Sequence, residues 1–303
     1  MPNGSFEEYY ACPNYLNGAY INAAKYWMMP TQGSSDYFNS CSDYFDSGLG
    51  YYFFSVPENY IGYQEARTGQ AYGGYFTGIL PVISGYQEYL SVQLSKPLIE
   101  QKMYKLTYYL SLADGKDDVP LQYFNHSAAY FSIDTSFFNS TDKVLLVNPQ
   151  VVSDPNIFLN DSTGWQKIEG TFVANGGEQF LTIGSFTNFE NVAYNFLYPD
   201  TGLGVFSYFY IDDVSLIQVE DFIPNVFTPN GDDINDYVDF TEFIGSKIQI
   251  INRWGNTVLI IESQSNYLWY GMNYLNEQLS SGIYYYIIEQ QDNKKTGTIH
   301  LIR

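Results

Sequence analysis

Apolar and aromatic residues in this chain come in short runs, each closed by Gly, Asn, Asp or Pro, and the three-to-four spacing of an amphipathic helix is nearly absent. Runs of this kind read as strands. They predict strands over Tyr51–Val56, Tyr86–Leu94, Tyr104–Ala113, Ala129–Ile133, Lys143–Val147, Gln166–Ala174, Gln179–Phe186 and Phe206–Val219, with turns at Ala113-Asp114-Gly115 and Asn175-Gly176-Gly177. The short acidic stretch Glu220-Asp221 then reads as a hinge, which divides the chain into residues 1–219 and 220–303. In the second part Lys247–Asn252 and Thr257–Glu262 flank the turn Arg253-Trp254-Gly255-Asn256, and Ile283–Gln290 and Thr296–Arg303 flank a second turn. A glycine in a tight hairpin supplies positive φ. The strand count and length of this part fit a small immunoglobulin-like β-sandwich. The whole chain is therefore expected to be all-β.

Composition changes that picture in two ways. The 303 residues carry 13 Lys and Arg against 33 Asp and Glu, a formal net charge of −20. A field of that sign repels phosphate, so nucleic acid and anionic membrane surfaces are poor partners, and cations and neutral ligands remain. Aromatic residues reach 19%, with 31 Tyr, 22 Phe and 4 Trp. Rings of this kind suit pleated, half-buried surfaces, and the excess of Tyr over Phe suggests many whose hydroxyl reaches water. No run approaches the ~20 apolar residues of a membrane-spanning helix. The opening MPNGSFEEYY has neither the basic start nor the apolar core of a signal peptide. Alone that would mean cytosol. The rest of the sequence argues for export, and Met1 is read as the start of a shortened chain.

Chemistry is sparse. No Gly-x-Ser-x-Gly elbow, phosphate-binding loop or dinucleotide fingerprint occurs. The two histidines, His126 and His300, lack an evident catalytic partner. The densest oxygen cluster is Asn230, Asp232, Asp233, Asn235 and Asp236, around Gly231. Calcium takes six to eight oxygens, and a tight glycine-containing loop can turn several inward. Three uncompensated carboxylates so close would repel one another, which favours calcium as a structural cofactor. The alternative is an Asx-rich turn with no metal.

The same stretch carries a resemblance. Residues 222–232, Phe-Ile-Pro-Asn-Val-Phe-Thr-Pro-Asn-Gly-Asp, followed by Ile234-Asn235-Asp236, resemble the opening of the gliding-motility-associated C-terminal domain, the type B sorting domain of type IX secretion cargo. The likeness continues through residues 248–256, Ile-Gln-Ile-Ile-Asn-Arg-Trp-Gly-Asn, through Gly282-Ile283-Tyr284-Tyr285-Tyr286, and through Lys295 to Arg303. Asp233 stands where the family usually has Gly. Trp269-Tyr270-Gly271 replaces its usual Trp-Asp-Gly, so any role of that Asp is lost. The resemblance implies a β-sandwich that addresses the protein to the type IX translocon and its outer-membrane shuttle protein, for surface display or release.

Residues 1–219 show a weaker resemblance to carbohydrate-binding-module jelly rolls, also called galactose-binding-like. It rests on Asn3-Gly4-Ser5-Phe6-Glu7, on Trp165–Phe172 and on Tyr210-Ile211-Asp212-Asp213-Val214-Ser215-Leu216. It implies a structural calcium where the terminal strands meet, with Glu7 and one of Asp212 and Asp213 as ligands; a solvated strand end is the alternative. Trp27, Tyr37, Tyr60, Tyr63 and Tyr72 lie in loop-like stretches, with Asp36, Asn39, Gln64 and Arg67 beside them as hydrogen-bonding groups. Such a cluster could stack on sugar rings and read their hydroxyls, although for any one member core or rim packing is the favoured reading. In an exported chain, the isolated pair Cys12 and Cys41 is most simply a disulfide. The resulting expectation is an exported, non-catalytic module, probing glycan through its aromatic face. A surface adhesin or protein-interaction module is an alternative, and so is a jelly-roll glycosidase, which would need two carboxyls facing across a groove about 5–10 Å wide.

Overall fold

In the computed structural model the chain divides into two units, Met1–Val219 and Glu220–Arg303. The structure describes every residue except 15–19, 49, 81–85, 116–121, 136–143, 188–192, 197–204, 220–222, 233, 263–266 and 291–292. Asp233, Lys143, Phe222 and the Glu220-Asp221 stretch, all singled out above, lie outside the described residues.

The first unit contributes, in chain order, β1 (Trp27–Met28), β2 (Asp36–Asn39), β3 (Phe45–Asp46), β4 (Tyr51–Tyr52), β5 (Ala71–Leu80), β6 (Leu90–Gln93) and β7 (Met103–Leu112). There follow β8 (Gln122–Phe124), β9 (Ala128–Ser132), β10 (Val151–Val152), β11 (Gln166–Val173), β12 (Phe180–Gly184), β13 (Tyr194–Phe196) and β14 (Val205–Gln218). Two five-stranded antiparallel sheets form the sandwich, one ordered β1-β6-β12-β9-β10 and the other β11-β7-β14-β5-β2. Strict alternation explains the layering. Leu106, Tyr108, Leu110, Phe209 and Ile211 point from the second sheet to meet Leu90, Val92, Phe131, Leu181 and Ile183 of the first. Successive side chains of a strand lie on opposite faces, so Tyr72, Tyr208 and Tyr210 fall on the other side of the second sheet. There they build a separate cluster with Phe38, Val56 and Ile61.

The strand least visible in the sequence is β5, Ala-Tyr-Gly-Gly-Tyr-Phe-Thr-Gly-Ile-Leu, because three glycines break its apolar alternation. The packing shows why two of them are there. A Cβ on Gly73 would come within 2.8 Å of Leu90 and 3.1 Å of Ile211, and one on Gly74 within 2.3 Å of the Tyr208 hydroxyl. The sheet is pressed on both faces at this point. Two expectations are corrected. Residues 144–147 form no strand; Leu145 is instead buried beside Tyr89 and Phe186, with its N–H donating to the Tyr89 hydroxyl at 2.9 Å. Of Tyr51–Val56 only Tyr51–Tyr52 is strand, since the chain then folds back over the sheet.

The N-terminal segment crosses β14 where that strand bulges. Register with β7 shifts between Asp212 and Ser215, and the Val214 N–H donates to the Gly4 carbonyl at 2.8 Å. Cys12 and Cys41 are joined by a disulfide with their Cα atoms 6.0 Å apart. Closing a loop of this length contributes on the order of 2–4 kcal/mol.

The second unit contains β15 (Val226–Phe227), β16 (Val238–Asp239), β17 (Lys247–Asn252), β18 (Thr257–Ile261), β19 (Leu268–Trp269), β20 (Gly282–Gln290) and β21 (Asn293–Leu301). The sheet β15-β21-β20-β17-β18 packs its inner face, including Ile248, Ile250, Tyr284 and Ile299, on Trp269 and Tyr267 from the β16-β19 side. Both hairpins read from the sequence are present.

Gly74→Ala should destabilise the first unit by about 1–3 kcal/mol, the usual cost of overpacking. Tyr208 cannot yield without leaving its buried hydrogen bond. Denaturant unfolding checks this; a midpoint equal to that of the parent would contradict the tight approach.

Candidate binding face and export domain

Chain from Phe53 to Arg67 lies across the outer side of the second sheet of the first unit, and its polar groups are threaded into the aromatic cluster there. Asp36 on β2 is the anchor. Its Oδ2 accepts hydrogen bonds from the Tyr60 and Tyr208 hydroxyls, each at 2.7 Å. Tyr60 itself stacks on Phe53, with ring centroids 4.7 Å apart. A second set lies beside it: Asn59 donates to the Tyr72 hydroxyl at 3.0 Å and accepts from Tyr210 at 2.8 Å, Tyr72 donates to the Gln64 carbonyl at 3.0 Å, and Ser111 donates to the Gln64 side chain at 2.8 Å. Buried polar groups are tolerated when satisfied in this way.

Burial, and after it the nearby Glu88 charge, pushes the Asp36 carboxyl up to about 8; the two tyrosine hydrogen bonds pull the other way. Glu88 is also raised, chiefly by burial, while it accepts from Phe76 N–H at 2.8 Å and from Ser34 and Tyr86. Neither carboxyl opens on a groove: Asp36 is 8% exposed and Glu88 not at all.

Most of the aromatic cluster expected at a ligand face is therefore structural. Trp27 lies in β1, buried, stacked on Phe6 at 4.6 Å with its indole N–H on the Asn3 carbonyl at 2.8 Å. Tyr37 is fully buried, donating to the Phe6 carbonyl at 2.9 Å and accepting from Asn39 at 2.7 Å. Asp36, Asn39, Gln64 and Tyr72 are buried and Tyr60 is half-buried. The loop-like composition misled here because Trp27, Asp36, Tyr37, Asn39 and Tyr72 lie in β1, β2 and β5, while the segment carrying Tyr60 and Gln64 folds onto the sheet and away from water.

Two of the expected residues do face outward, and the structure adds neighbours to them. Tyr63 is 52% exposed and donates to the Glu65 carboxylate at 2.8 Å. The Arg67 guanidinium lies 3.4 Å over the Tyr109 ring and pairs with Asp213. Trp165, half-buried, donates its indole N–H to the Glu65 carbonyl at 3.1 Å and meets Tyr72 edge-on at 5.9 Å. Tyr109 could have been found in the sequence: it is the one large ring in the outward phase of β7, among Met103, Lys105 and Thr107.

The carboxylates expected to hold calcium grip one turn. Asp212, fully buried, accepts at Oδ2 from the Arg67 and Thr68 N–H groups at 3.0 and 3.2 Å, and at Oδ1 from the Asp213 N–H at 2.7 Å. Burial and then the Asp213 charge push it up to about 8. Glu7 Oε1 accepts from Gln70 and Ala71 N–H at 2.9 and 3.1 Å, at the other end of the same turn. Asp213 is engaged by Arg67 and by Thr68, which donates at 2.7 Å. Of the two aspartates Asp212 is thus the one that no lysine or arginine pairs with among the described residues. In the second unit Asp236 accepts from the Asn230 and Gly231 N–H groups at 2.8 and 2.7 Å, and Asp232 from Asn230 Nδ2 at 2.9 Å and Ile234 N–H at 2.9 Å. The Asn235 carbonyl accepts from Thr228 N–H at 2.8 Å. Among the described residues no three His, Cys, Asp or Glu side chains converge as a metal cluster. Calcium at either place would depend on backbone carbonyls as well.

The second unit closes around Arg303, whose guanidinium donates to the carbonyls of Leu279 and Gly271, both at 3.1 Å. With Trp269 buried beneath and the Asx-rich loop at one edge, the ordered motifs of this unit form one sandwich. Residues 222–301 match the family model of the CHU_C type IX secretion signal domain. The chain is thus addressed to the type IX machinery, for the cell surface or secretion. No curated protein sequence matches the chain. Among solved structures it is similar to a cleaved adhesin domain of Lys-gingipain from Porphyromonas gingivalis, at 14% identity and a TM-score of 0.33 over 70% of this chain and 95% of that one. It is similar to the CBM22-1 xylan-binding domain of Paenibacillus barcinonensis Xyn10C, at 12% and 0.34 over 72% and 94%. A CBM4 structure gives 13% and 0.31 over 72% and 99%. Among the described residues no helix is long and apolar enough to cross a membrane.

Because Asp36 holds its proton far above the 3.8 of an ordinary aspartate, the folded chain keeps a proton that the unfolded chain releases. Its contribution to stability is complete below pH ~4 and is lost as pH rises toward ~8. The melting temperature should fall from pH 5 to pH 8, and Asp36→Asn should flatten that fall. Melts of both proteins across this window check it; equal slopes would remove Asp36 from the account.

Proposed function

We propose that residues 1–219 are a non-catalytic, carbohydrate-binding module, carried out of the cell by the domain at 222–303 through the type IX translocon and its outer-membrane shuttle protein. The observation that carries the reading is an export domain joined to a β-sandwich whose outward rim sets an arginine–tyrosine stack, Arg67 on Tyr109, beside the exposed ring of Tyr63 and the half-buried Trp165. Ring faces stack on the C–H faces of a pyranose, and fixed polar groups read its hydroxyls. The non-catalytic half of the reading is supported by the burial of Asp36 and Glu88 under tyrosines. A general acid must reach within hydrogen-bonding distance of its substrate.

Calcium is part of the proposal as a structural ion. Glu7 and Asp212 would hold it in the first unit, and Asn230, Asp232, Asn235 and Asp236 in the second. At Asp212 it would supply the positive charge that this buried carboxylate lacks. Its chemical contribution would be charge neutralisation and the locking of turns.

Deleting 220–303 should leave the protein inside the cell envelope, as judged by surface labelling of the full and shortened chains. Normal display of the shortened form would refute the sorting role. On a glycan array in millimolar calcium, the full chain should bind one sugar class, and excess chelator should weaken that binding while lowering the melting temperature. No binding to any glycan would turn the reading to a protein-interaction module, and an unchanged melt in chelator would remove calcium.

A further inference from the structure

In the five-stranded sheet of the second unit, residues paired across neighbouring strands share a side of the sheet. Tyr284, Tyr286 and Ile288 of β20 point into the core, so Ile283, Tyr285 and Ile287 point outward. The register carries that outward phase across the sheet in rows. One row joins Val226, His300 and Ile283, and a second joins Thr298, Tyr285 and Ile251. A third joins Thr296, Ile287, Gln249 and Ile260. Ile283, Tyr285 and Ile260 are exposed.

None of these positions holds Asp, Glu, Lys or Arg, although acidic residues outnumber basic ones in 220–303. The next row is wholly charged, but its members cancel: Lys247 lies 3.1 Å from Glu262, and Lys294 lies 3.6 Å from Glu289. The face is thus an uncharged field closed on one side by paired ions. At its other side the β17–β18 turn holds up Trp254, 69% exposed, with the Arg253 guanidinium 4.4 Å over its ring. The other three tryptophans of the chain are buried or half-buried. The turn is shaped by the Asn252 side chain and by Gly255, so the indole is not needed to form it.

Trp, Tyr and Arg are the residue types in which protein interfaces concentrate their binding energy. Area decides among the occupants. Strands about 4.8 Å apart, with a repeat of about 6.8 Å along each, give the three rows a footprint of roughly 400 Å². Each partner of a stable complex commits about 800 Å². The face is therefore small for a permanent dimer, and a second copy would also bring another chain of net charge −20 against the first. A lipid surface fits less well than a protein, because the ions beside the field cancel and leave no basic rim for anionic headgroups. A contact of this size suits binding followed by release, which a secretion signal domain needs from the machinery that reads it. We infer that the outer face of this sheet, with Trp254 at its corner, is the surface by which the type IX machinery recognises the chain, through a protein surface that is itself uncharged, apolar and aromatic. The inference rests on the sorting role proposed for 222–303 and assigns that role to one side of the domain.

Tyr285→Lys and Trp254→Ala, each in the full chain expressed in cells that carry the type IX machinery, test this by surface labelling, with melts of the purified proteins beside it. Tyr270→Glu, at an exposed ring next to β19 in the other layer, is the comparison. Each face variant should lower the displayed share about 10-fold and melt as the parent does, while Tyr270→Glu should be displayed normally. Should Tyr285→Lys lower the melting temperature, Trp254→Ala, which lies in a turn outside the strands, decides alone. Normal display of Trp254→Ala, or of a Tyr285→Lys protein that melts like the parent, would overturn the inference. The sorting role would survive that result if the chain lacking 220–303 stayed inside the envelope. Lost display of Tyr270→Glu would overturn the inference too, since no single face would then be distinguished. So would a dimer of the purified full chain in light scattering, or its flotation with phosphatidylcholine–phosphatidylglycerol vesicles, that Trp254→Ala abolishes.

Discussion

When the first unit folds, Asp36 leaves water, and the hydrogen bonds it loses must be replaced from within the protein. Tyr60 and Tyr208 supply them, and these two hydroxyls come from parts of the chain far apart in sequence, one from the segment that folds over the sheet and one from β14. The contact therefore fixes the segment to the sheet in one register. Other features follow from it. Gly74 is needed because Tyr208 leans across β5 to reach Asp36, and Phe53 finds its place by stacking on a Tyr60 that can no longer rotate away. The carboxyl retains its proton because two tyrosine hydroxyls replace only part of the lost hydration.

Strands with a clean period of two were legible from the sequence. In β7 the phase Tyr104, Leu106, Tyr108, Leu110 is buried and the phase Met103, Lys105, Thr107, Tyr109 is partly open, and β11, β12 and the two hairpins of the second unit read equally well. What escaped were β1 and β2, whose residues read as loop, and β5, whose glycines are dictated by partners from both faces. A sequence shows the missing side chain without showing what would collide with it. The candidate site was less legible than the fold for a related reason. Trp27, Tyr37 and Tyr72 sit among Gly, Asn and Ser, a composition that signals a loop, yet each is covered by chain that composition alone could not place. Of the expected ligand-face residues Tyr63 and Arg67 face outward, and Tyr109 of β7 and Trp165, just before β11, join them.

The second unit shows the opposite balance, with local sequence deciding most of the structure. Asn252 accepts from the Trp254 and Asn256 N–H groups, both at 3.0 Å, and Gly255 takes φ +83, so the β17–β18 hairpin is encoded within a few residues. The loop at 230–236 is encoded the same way, by Asn and Asp side chains that bond to nearby backbone amides and by Gly231 at φ +83. Arg303 works over distance, drawing the carbonyls of residues 271 and 279 to one point, as do the Tyr267 hydroxyl between Gly245 and Ser246 and the parallel pairing of β15 with β21.

The first unit has used its most aromatic sheet face to bind itself. The sheet presents Tyr72, Tyr208 and Tyr210 in the manner of a stacking platform, but the chain from Phe53 to Arg67 fills that platform and saturates its hydroxyls. Opening the face would expose the cluster around Phe38 and strip Asp36 of Tyr60, one of its two tyrosine partners, so the cover is structural and cannot serve as a readily displaced lid. Recognition must then use what the cover leaves open. At the rim that is Tyr63 with the Arg67–Tyr109 stack and Trp165. Under the carbohydrate reading proposed above, the cover would then do both jobs, since the segment that closes the platform is the one that carries Tyr63 and Arg67 outward.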